Sequence, residues 1–298
     1  MTTESPRILV LGAGGMLGHK LVQRLQTRVP CWGTVRTRAA GYTRFGILDE
    51  SRLIDQVDAL SFETVVRAVV QVRPTVVINC IGILKQLPAA KDPIATLQVN
   101  ALFPQRLALL CDAAGAWLLH ISTDCVFSGR RGNYTEEDVA DAEDLYGRTK
   151  LLGEPQNPST LVLRTSMIGR ELTSRVGLVE WFLAQRGGRV KGYRRARFSG
   201  LTTAALADVI AALVERREPL TGLFHVGAAA IDKYELLCRL NEAFGTGTTI
   251  EPDDEVAVDR TLNSDRFWRT TGLSRPEWPD MIAALAADAS SYEGWRQE

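Results

Sequence analysis

The order of apolar and amphipathic segments predicts a doubly wound, parallel α/β sheet followed by a smaller, discontinuous C-terminal lobe. Three observations carry this. Short β-branched apolar runs alternate with longer amphipathic stretches through the first two thirds of the chain, a glycine-rich turn follows the first run, and the rhythm weakens after about Arg170. Strands that alternate with helices are joined by crossovers, and crossovers cover both faces of a parallel sheet.

Taken in order, "RILVLGAG" reads as a strand, "MLGHKLVQRLQ" as a helix and "VPCWGTVR" as a second strand, with a third strand expected just before Asp49 in "FGILDE". "SFETVVRAVVQVR" has helical spacing, with Ser61 as its expected N-cap and Pro74 as its stop. "PTVVINCIG" is strand-like, and a long helix is expected around Asn100 to Ala114, ended by Gly115. "WLLHISTDCVF" and "STLVLRTSMIG" complete the alternation. Beyond Arg170, aromatic and basic residues concentrate in "VEWFLAQRGGRVKGYRRARFSG", after which "TTAALADVIAALVERRE" and "GLFHVGA" have the pattern to rejoin the sheet. The expected organisation is a dinucleotide-binding domain over 1–168, completed by about 201–230, and a substrate lobe built from 169–200 and 231–298.

The chain has 298 residues, enough apolar material for one large domain or two modest ones. Its 35 basic and 35 acidic residues cancel, which argues against a nucleic-acid-binding surface. The five cysteines, Cys31, Cys80, Cys111, Cys125 and Cys238, show neither metal-ligand nor small disulfide-framework spacing, so a reduced, cytoplasmic setting is expected. The start "MTTESPRILV" lacks the basic and apolar regions of a secretory signal, and no apolar run is long enough to span a bilayer. His19 and His225 lack neighbours that would complete a metal site, and His120, inside an apolar run, reads as a core histidine; no catalytic metal is expected.

In "VLGAGGMLGHKL", Gly12, Gly15 and Gly18 recur at three-residue spacing between the first strand and the first helix. Glycine allows the tight turn and a close backbone approach, and the helix N-terminus can then hold a pyrophosphate, as in Rossmann-type folds. The whole turn, Gly12, Gly14, Gly15, Met16, Leu17 and Gly18, is therefore a candidate cofactor cradle. The second strand ends in "GTVRTRAA", where an NAD site places a carboxylate on the ribose 2′-hydroxyl. Arg36 and Arg38 stand there instead and suit a 2′-phosphate, so NADPH is expected over NADH. Asp49 can accept from the adenine amino group or cap the helix that follows.

"LLHISTDCVFSG" and "DLYGRTKLLGE" supply Thr123, Tyr146 and Lys150. Tyr146 and Lys150 are four residues apart and so share one helix face. A free phenol has a pKa near 10, too high for brisk proton transfer at neutral pH. An ammonium about 4 Å away, at an effective dielectric of about 20, favours the phenolate by roughly 4 kcal/mol, or about three pKa units. A hydroxyl from Thr123 would orient a carbonyl beside such a phenol.

On these residues the chain resembles the extended short-chain dehydrogenase/reductase family over essentially its whole length, and within it the dTDP-4-dehydrorhamnose reductases. The carrying segments are the glycine turn, "ISTDCVFSGRRGNYTEEDVADAEDLYGRTKLLGE", "LVLRTSMIG" and "VDRTLNSDRF". The resemblance implies Thr123, Tyr146 and Lys150 as catalytic residues. It places Cys80, Ile81 and Gly82 in the segment beneath the nicotinamide, and makes Asn100 the helix asparagine that supports the lysine through water, with a buried structural amide as the alternative. It implies a homodimer as well. Nucleotide-sugar dehydratases need a carboxylate pair after the threonine, whereas this chain has Asp124 and then Cys125, a poor substitute for a glutamate base. Reduction of an existing 4-ketone is expected, with a nucleotide-linked 6-deoxy sugar such as dTDP-L-rhamnose, used in cell-surface polysaccharide, as product. The alternatives are a reductase of a UDP-linked 2-acetamido-4-keto-6-deoxy sugar and a non-catalytic NADP-binding subunit, the part a reductase-like relative plays in methionine adenosyltransferase. Asp124, Trp181, Lys191, Arg197 and Arg260 are the candidate substrate residues, the basic ones facing a diphosphate. Asn263 is a second-tier candidate, and most cations of this lobe are expected to be solvated.

Overall fold

A computed structural model of the chain describes residues 5–43, 45–46, 48–86, 88–216, 218–288 and 292. Its first part runs β1 (Ile8–Leu11), α1 (Gly18–Leu25), β2 (Cys31–Thr34), α2 (Ala40–Thr43), β3 (Leu53–Ile54), α3 (Phe62–Val72) and β4 (Val76–Asn79). Next come α4 (Pro93–Thr96), a π-turn (Leu97–Leu102), α5 (Phe103–Ala114), β5 (Trp117–Thr123), α6 (Leu145–Leu152) and β6 (Thr160–Thr165). The remainder comprises β7 (Met167–Ile168), α7 (Leu178–Leu183), β8 (Arg189–Tyr193), β9 (Ala196–Phe198), β10 (Leu201–Thr202), α8 (Thr203–Val214) and β11 (Gly222–His225). It ends with β12 (Ile231–Asp232), α9 (Lys233–Phe244), β13 (Thr249–Asp253), β14 (Val258–Asp259), α10 (Asp265–Thr271) and α11 (Trp278–Ala287).

Among the described residues the main sheet has seven strands in the order β11-β6-β5-β4-β1-β2-β3. The pairs β1-β2, β1-β4, β2-β3 and β4-β5 are parallel, so the doubly wound α/β fold expected from the alternation is present. The order reverses between β1 and β4, the switch point outside which such sheets bind ligands. Leu9 and Leu11 on one face of β1 pack with Val65 and Val69 of α3 and Phe103 and Leu107 of α5. Alternation turns Ile8 and Val10 to the other face, and both are fully buried, so the strand is covered on both sides.

The chain forms two compact units. The first comprises 1–122, 144–163 and 207–223, and the second 123–143, 164–206 and 224–298. Within the second unit, β8 pairs in parallel with β13, and β9 lies between β12 and β14.

Local signals met mixed fates. Arg73 ends α3 in the left-handed region ahead of Pro74, and Gly115, at φ 65°, ends α5. Ser61 holds the N-cap position of α3, but its hydroxyl makes no capping bond, and its carbonyl accepts from Thr64 Oγ1 instead (2.7 Å). The third strand lies after Asp49, at Leu53–Ile54, not before it. Phe45 and Leu48 are apolar because they are buried in the preceding loop.

Candidate active site

In the first unit, Gly12 leaves β1 at φ +84°, a conformation that favours glycine. A Cβ on Gly18 would strike the Gly12 carbonyl oxygen, so the third glycine exists to let α1 start against the turn. Thr34 at the end of β2 pins the turn: its hydroxyl accepts from Gly12 N–H (3.1 Å) and its carbonyl from Ala13 N–H (2.8 Å). The N-cap of α1 is Leu17, which offers no side-chain oxygen, and the His19 N–H of the first turn donates to the Gly15 carbonyl (3.1 Å). Gly14 is closed on its other side by the Tyr42 ring, which a Cβ would hit. Met16 is half-buried and Leu17 buried in this turn. The cradle fits a dinucleotide pyrophosphate.

Arg36 and Arg38 follow β2, are exposed, and make no ion pair among the described residues. Asp49 caps the short 3₁₀ turn Glu50–Arg52: one carboxylate oxygen accepts from Ser51 N–H (2.9 Å) and Ser51 Oγ (2.8 Å). These hydrogen bonds hold its carboxyl below the usual range. Asp55 directly follows β3 and accepts from Ala39 N–H (3.4 Å), in the loop that carries both arginines. With the third strand misplaced in the sequence, this carboxylate at a strand's carboxyl end was missed.

At the end of β4, Asn79 Oδ1 accepts from Ile81 N–H (3.0 Å) and Asn79 Nδ2 donates to His120 Nδ1 (3.0 Å). The same buried amide thus fixes the Cys80-Ile81-Gly82 segment and the neutral core histidine, whose pKa burial pushes well down. A Cβ on Gly12 would lie 3.1 Å from Ile81, so this segment borders the glycine turn. Burial lifts the Cys80 thiol to about 12, leaving it protonated. Asn100 sits in the π-turn and spends its side chain on one peptide: Oδ1 accepts from Ile83 N–H (2.8 Å) and Nδ2 donates to Ile83 O (3.0 Å).

Tyr146 and Lys150 lie on α6, whose N-cap Asp144 accepts from Gly147 N–H (2.7 Å). The lysine is buried and donates from Nζ to Ile121 O (2.7 Å). Burial pushes its pKa down to about 8, against the opposing pull of Glu154 and Cys80. Glu154 is itself held by Ser122 Oγ (2.5 Å). A Cβ on Gly153 would strike the Asn100 carbonyl oxygen, so α6 ends in close contact with the π-turn.

In the second unit, Thr123 Oγ1 accepts from Cys125 N–H (3.1 Å) and donates to Asp124 Oδ1 (3.2 Å). Burial raises the Asp124 carboxyl, opposed by Arg260 and Lys233, and lifts the Cys125 thiol to about 12. Arg260 is fixed by two carbonyls, Phe127 O (2.9 Å) and Ser128 O (3.3 Å). Lys233, which no sequence motif marked, shares the neighbourhood of Asp124 and Cys125.

The basic stretch that sequence reading turned toward a diphosphate is largely neutralised within this unit. Lys191 pairs with Asp253 (2.7 Å) and Glu255 (3.2 Å), Arg197 with Asp259 (3.2 Å), Arg194 with Asp254 and Arg189 with Glu251. The parallel register of β8 with β13, Lys191 opposite Glu251 and Tyr193 opposite Asp253, lays an acidic strand along a basic one. Trp181 is 40% exposed on α7, whereas Phe182 is fully buried. Asn263 caps locally, accepting from Asp265 N–H (3.0 Å).

Residues 6–288 match the RmlD substrate binding domain. The chain belongs to that family. The resemblance to dTDP-4-dehydrorhamnose reductases read from the motifs is thereby borne out. Among RmlD relatives, a probable dTDP-4,6-dihydroxy-2-methyloxan-3-one 4-ketoreductase of Streptomyces antibioticus is 31% identical, covering 93% of this chain and 96% of its own. Methionine adenosyltransferase 2 subunit beta of Mus musculus is 30% identical over 93% of this chain and 89% of its own. The dTDP-4-dehydrorhamnose reductase of Bacillus anthracis, solved in complex with NADP, shares the fold: TM-score 0.78 at 21% identity, covering 95% of this chain and 99% of that one.

Proposed function

We propose that this protein is an NADPH-dependent reductase of the 4-keto group of a nucleotide-linked 4-keto-6-deoxy sugar, with dTDP-4-dehydrorhamnose as the leading substrate. The observation that carries the reading is α6, which holds Tyr146 one turn before a buried lysine in a chain of the RmlD family. NADPH, when bound, supplies a hydride. The glycine turn and the amides opening α1 hold the pyrophosphate, Arg36 and Arg38 take the 2′-phosphate, and the Cys80-Ile81-Gly82 backbone supports the nicotinamide. Thr123 hydrogen-bonds the sugar C4 oxygen and orients it. Tyr146 donates its phenolic proton to that oxygen as it becomes an alkoxide, and the Lys150 ammonium stabilises the resulting phenolate. Cys125, half-buried and with its thiol pushed up to about 12, stays protonated and removes no C5 proton, which favours reduction over dehydration.

A second reading follows from the likeness to methionine adenosyltransferase 2 subunit beta: a cofactor-binding subunit without turnover of its own. One experiment separates the two. NADPH consumption is followed with a panel of dTDP- and UDP-linked 4-keto-6-deoxy sugars, using the wild type and Tyr146→Phe. The reductase reading expects turnover that Tyr146→Phe abolishes while NADPH affinity is kept. Tight NADPH binding with silence across the panel would establish the subunit reading.

A further inference from the structure

Gly14 is the glycine of the turn that the three-residue spacing of Gly12, Gly15 and Gly18 does not explain. Its backbone does not have the positive φ that favours glycine at Gly12. The restriction at Gly14 is steric, and it comes from one side chain. A Cβ there would lie 2.5 Å from Tyr42 Cε1 and 2.8 Å from both Tyr42 Cζ and the phenolic oxygen, nearer than any other atom. At Gly18 the obstacle is the backbone of Gly12, which holds its place; at Gly14 it is a ring at the end of a side chain, which can swing to another rotamer. Gly14 is therefore glycine so that the Tyr42 ring can lie on the turn.

Tyr42 belongs to the stretch that carries both arginines. Its start is anchored to β3: Val35 N–H donates to Ile54 O (2.9 Å) and Val57 N–H to Val35 O (3.1 Å). Further on, Ala39 N–H donates to Asp55 Oδ2 (3.4 Å), Gly41 N–H to Arg38 O (3.1 Å) and Tyr42 N–H to Ala39 O (2.8 Å). One hydrogen-bonded turn thus joins Arg38 to Tyr42, so a shift of the ring is a shift of the arginine loop. Arg36 and Arg38 are exposed, and Tyr42 is half-buried, with Phe45 edge-on to its ring at 6.3 Å. The 2′-phosphate and the pyrophosphate of one dinucleotide are linked through a ribose, so arginines for the first add affinity only when their loop is already in register with the cradle for the second. We propose that Tyr42 is a specificity-determining residue: its ring, seated on Gly14, sets the Arg36 and Arg38 loop against the pyrophosphate cradle so that both grip one NADPH molecule. This rests on the NADPH reading given above.

The test reads binding rather than turnover, with NADPH and NADH each titrated into the full chain and followed by nicotinamide fluorescence. Tyr42→Ala should lower NADPH affinity about 10-fold, the effect of one charged hydrogen bond left unformed, and change NADH affinity less than about 2-fold. Tyr42→Phe keeps the ring and should keep both wild-type affinities. Gly14→Ala pushes the ring off the turn and should reproduce the Tyr42→Ala pattern. In a Tyr42→Ala background, Gly14→Ala should cost no more than a further factor of about two, because the ring it would displace is gone. Tyr42→Leu provides a second ringless side chain should the alanine variant melt early. A wild-type NADPH over NADH ratio in the ringless variants, a Tyr42→Phe loss equal to that of Tyr42→Ala, or losses that simply multiply in the double variant would overturn the proposal while leaving the NADPH reading intact. A wild type that binds the two cofactors equally overturns the NADPH reading, and the proposal falls with it.

Discussion

Lys150 illustrates a conflict between stability and chemistry at a single residue. Its ammonium is buried and donates to Ile121 O, and burial pushes its pKa down to about 8 from an ordinary value of about 10.4. Between those values the unfolded chain binds more protons than the folded one, so this residue's contribution to stability rises with pH across that window. Below about 8 it is charged in both states and the folded state bears the full desolvation cost. Lys150→Met should therefore stabilise the protein at pH 7, by an amount on the order of 1 kcal/mol or a Tm gain of about 2 °C, while turnover is lost. The gain over wild type should shrink as pH approaches 10; melting curves of both proteins at pH 7 and 10 decide it, and a lower Tm for the variant at pH 7 would refute the account. Arg36 and Arg38 permit a second residue-level expectation, since both are exposed beyond β2. Replacing both by alanine should weaken NADPH binding about 10- to 100-fold, the loss of one or two charged hydrogen bonds, and leave NADH binding unchanged in titrations of each cofactor.

At the scale of elements, the contact between α6 and the π-turn is the sharpest constraint. A methyl at Gly153 would meet the Asn100 carbonyl, backbone that cannot swing aside. Gly153→Ala should cost about 1–3 kcal/mol, read as a lowered denaturation midpoint, and should lower kcat more than NADPH affinity because α6 carries Tyr146 and Lys150. A stable, fully active Gly153→Ala would show that the turn gives way. This contact joins residues 53 positions apart in the chain, and neither its glycine nor its asparagine announced it. What could be read beforehand was local: glycine spacing between a strand and a helix, a tyrosine and lysine one turn apart, an alternation that demands a parallel sheet. β3 was misplaced because it is only two residues long, while Phe45 and Leu48 form a buried loop with the same apolar look. The carboxylates that pair with the basic stretch of β8 and β9 lie some sixty residues later, on and beside β13 and β14, so its charge balance was not legible in the local sequence.

At the scale of the whole molecule, the chain passes between its two compact units five times, at 122/123, 143/144, 163/164, 206/207 and 223/224. Three of these passages lie within β5, β6 and β11, so neither unit is a contiguous stretch that a truncation could release. A fragment ending at residue 168 would keep the glycine turn, Tyr146 and Lys150 but lose α8 and β11. β6 would then become an unpaired edge. The fragment would also lack the Leu220 carbonyl that takes the Trp117 indole N–H (3.0 Å) and the Asp208 partner of Arg24 (3.4 Å). On α8 itself, Leu206, Ala207, Ile210 and Ala211 are fully buried, and the surface they cover would face water. The fragment should therefore aggregate on expression and fail to bind NADPH, although every residue assigned to the cofactor is present in it. The full chain should instead melt in one transition, its calorimetric enthalpy equal to the van't Hoff value. A soluble 1–168 fragment with a cooperative melt and NADPH affinity near that of the full chain would mean that the later segments decorate a self-sufficient domain; calorimetry and cofactor titration on the two proteins side by side distinguish the cases.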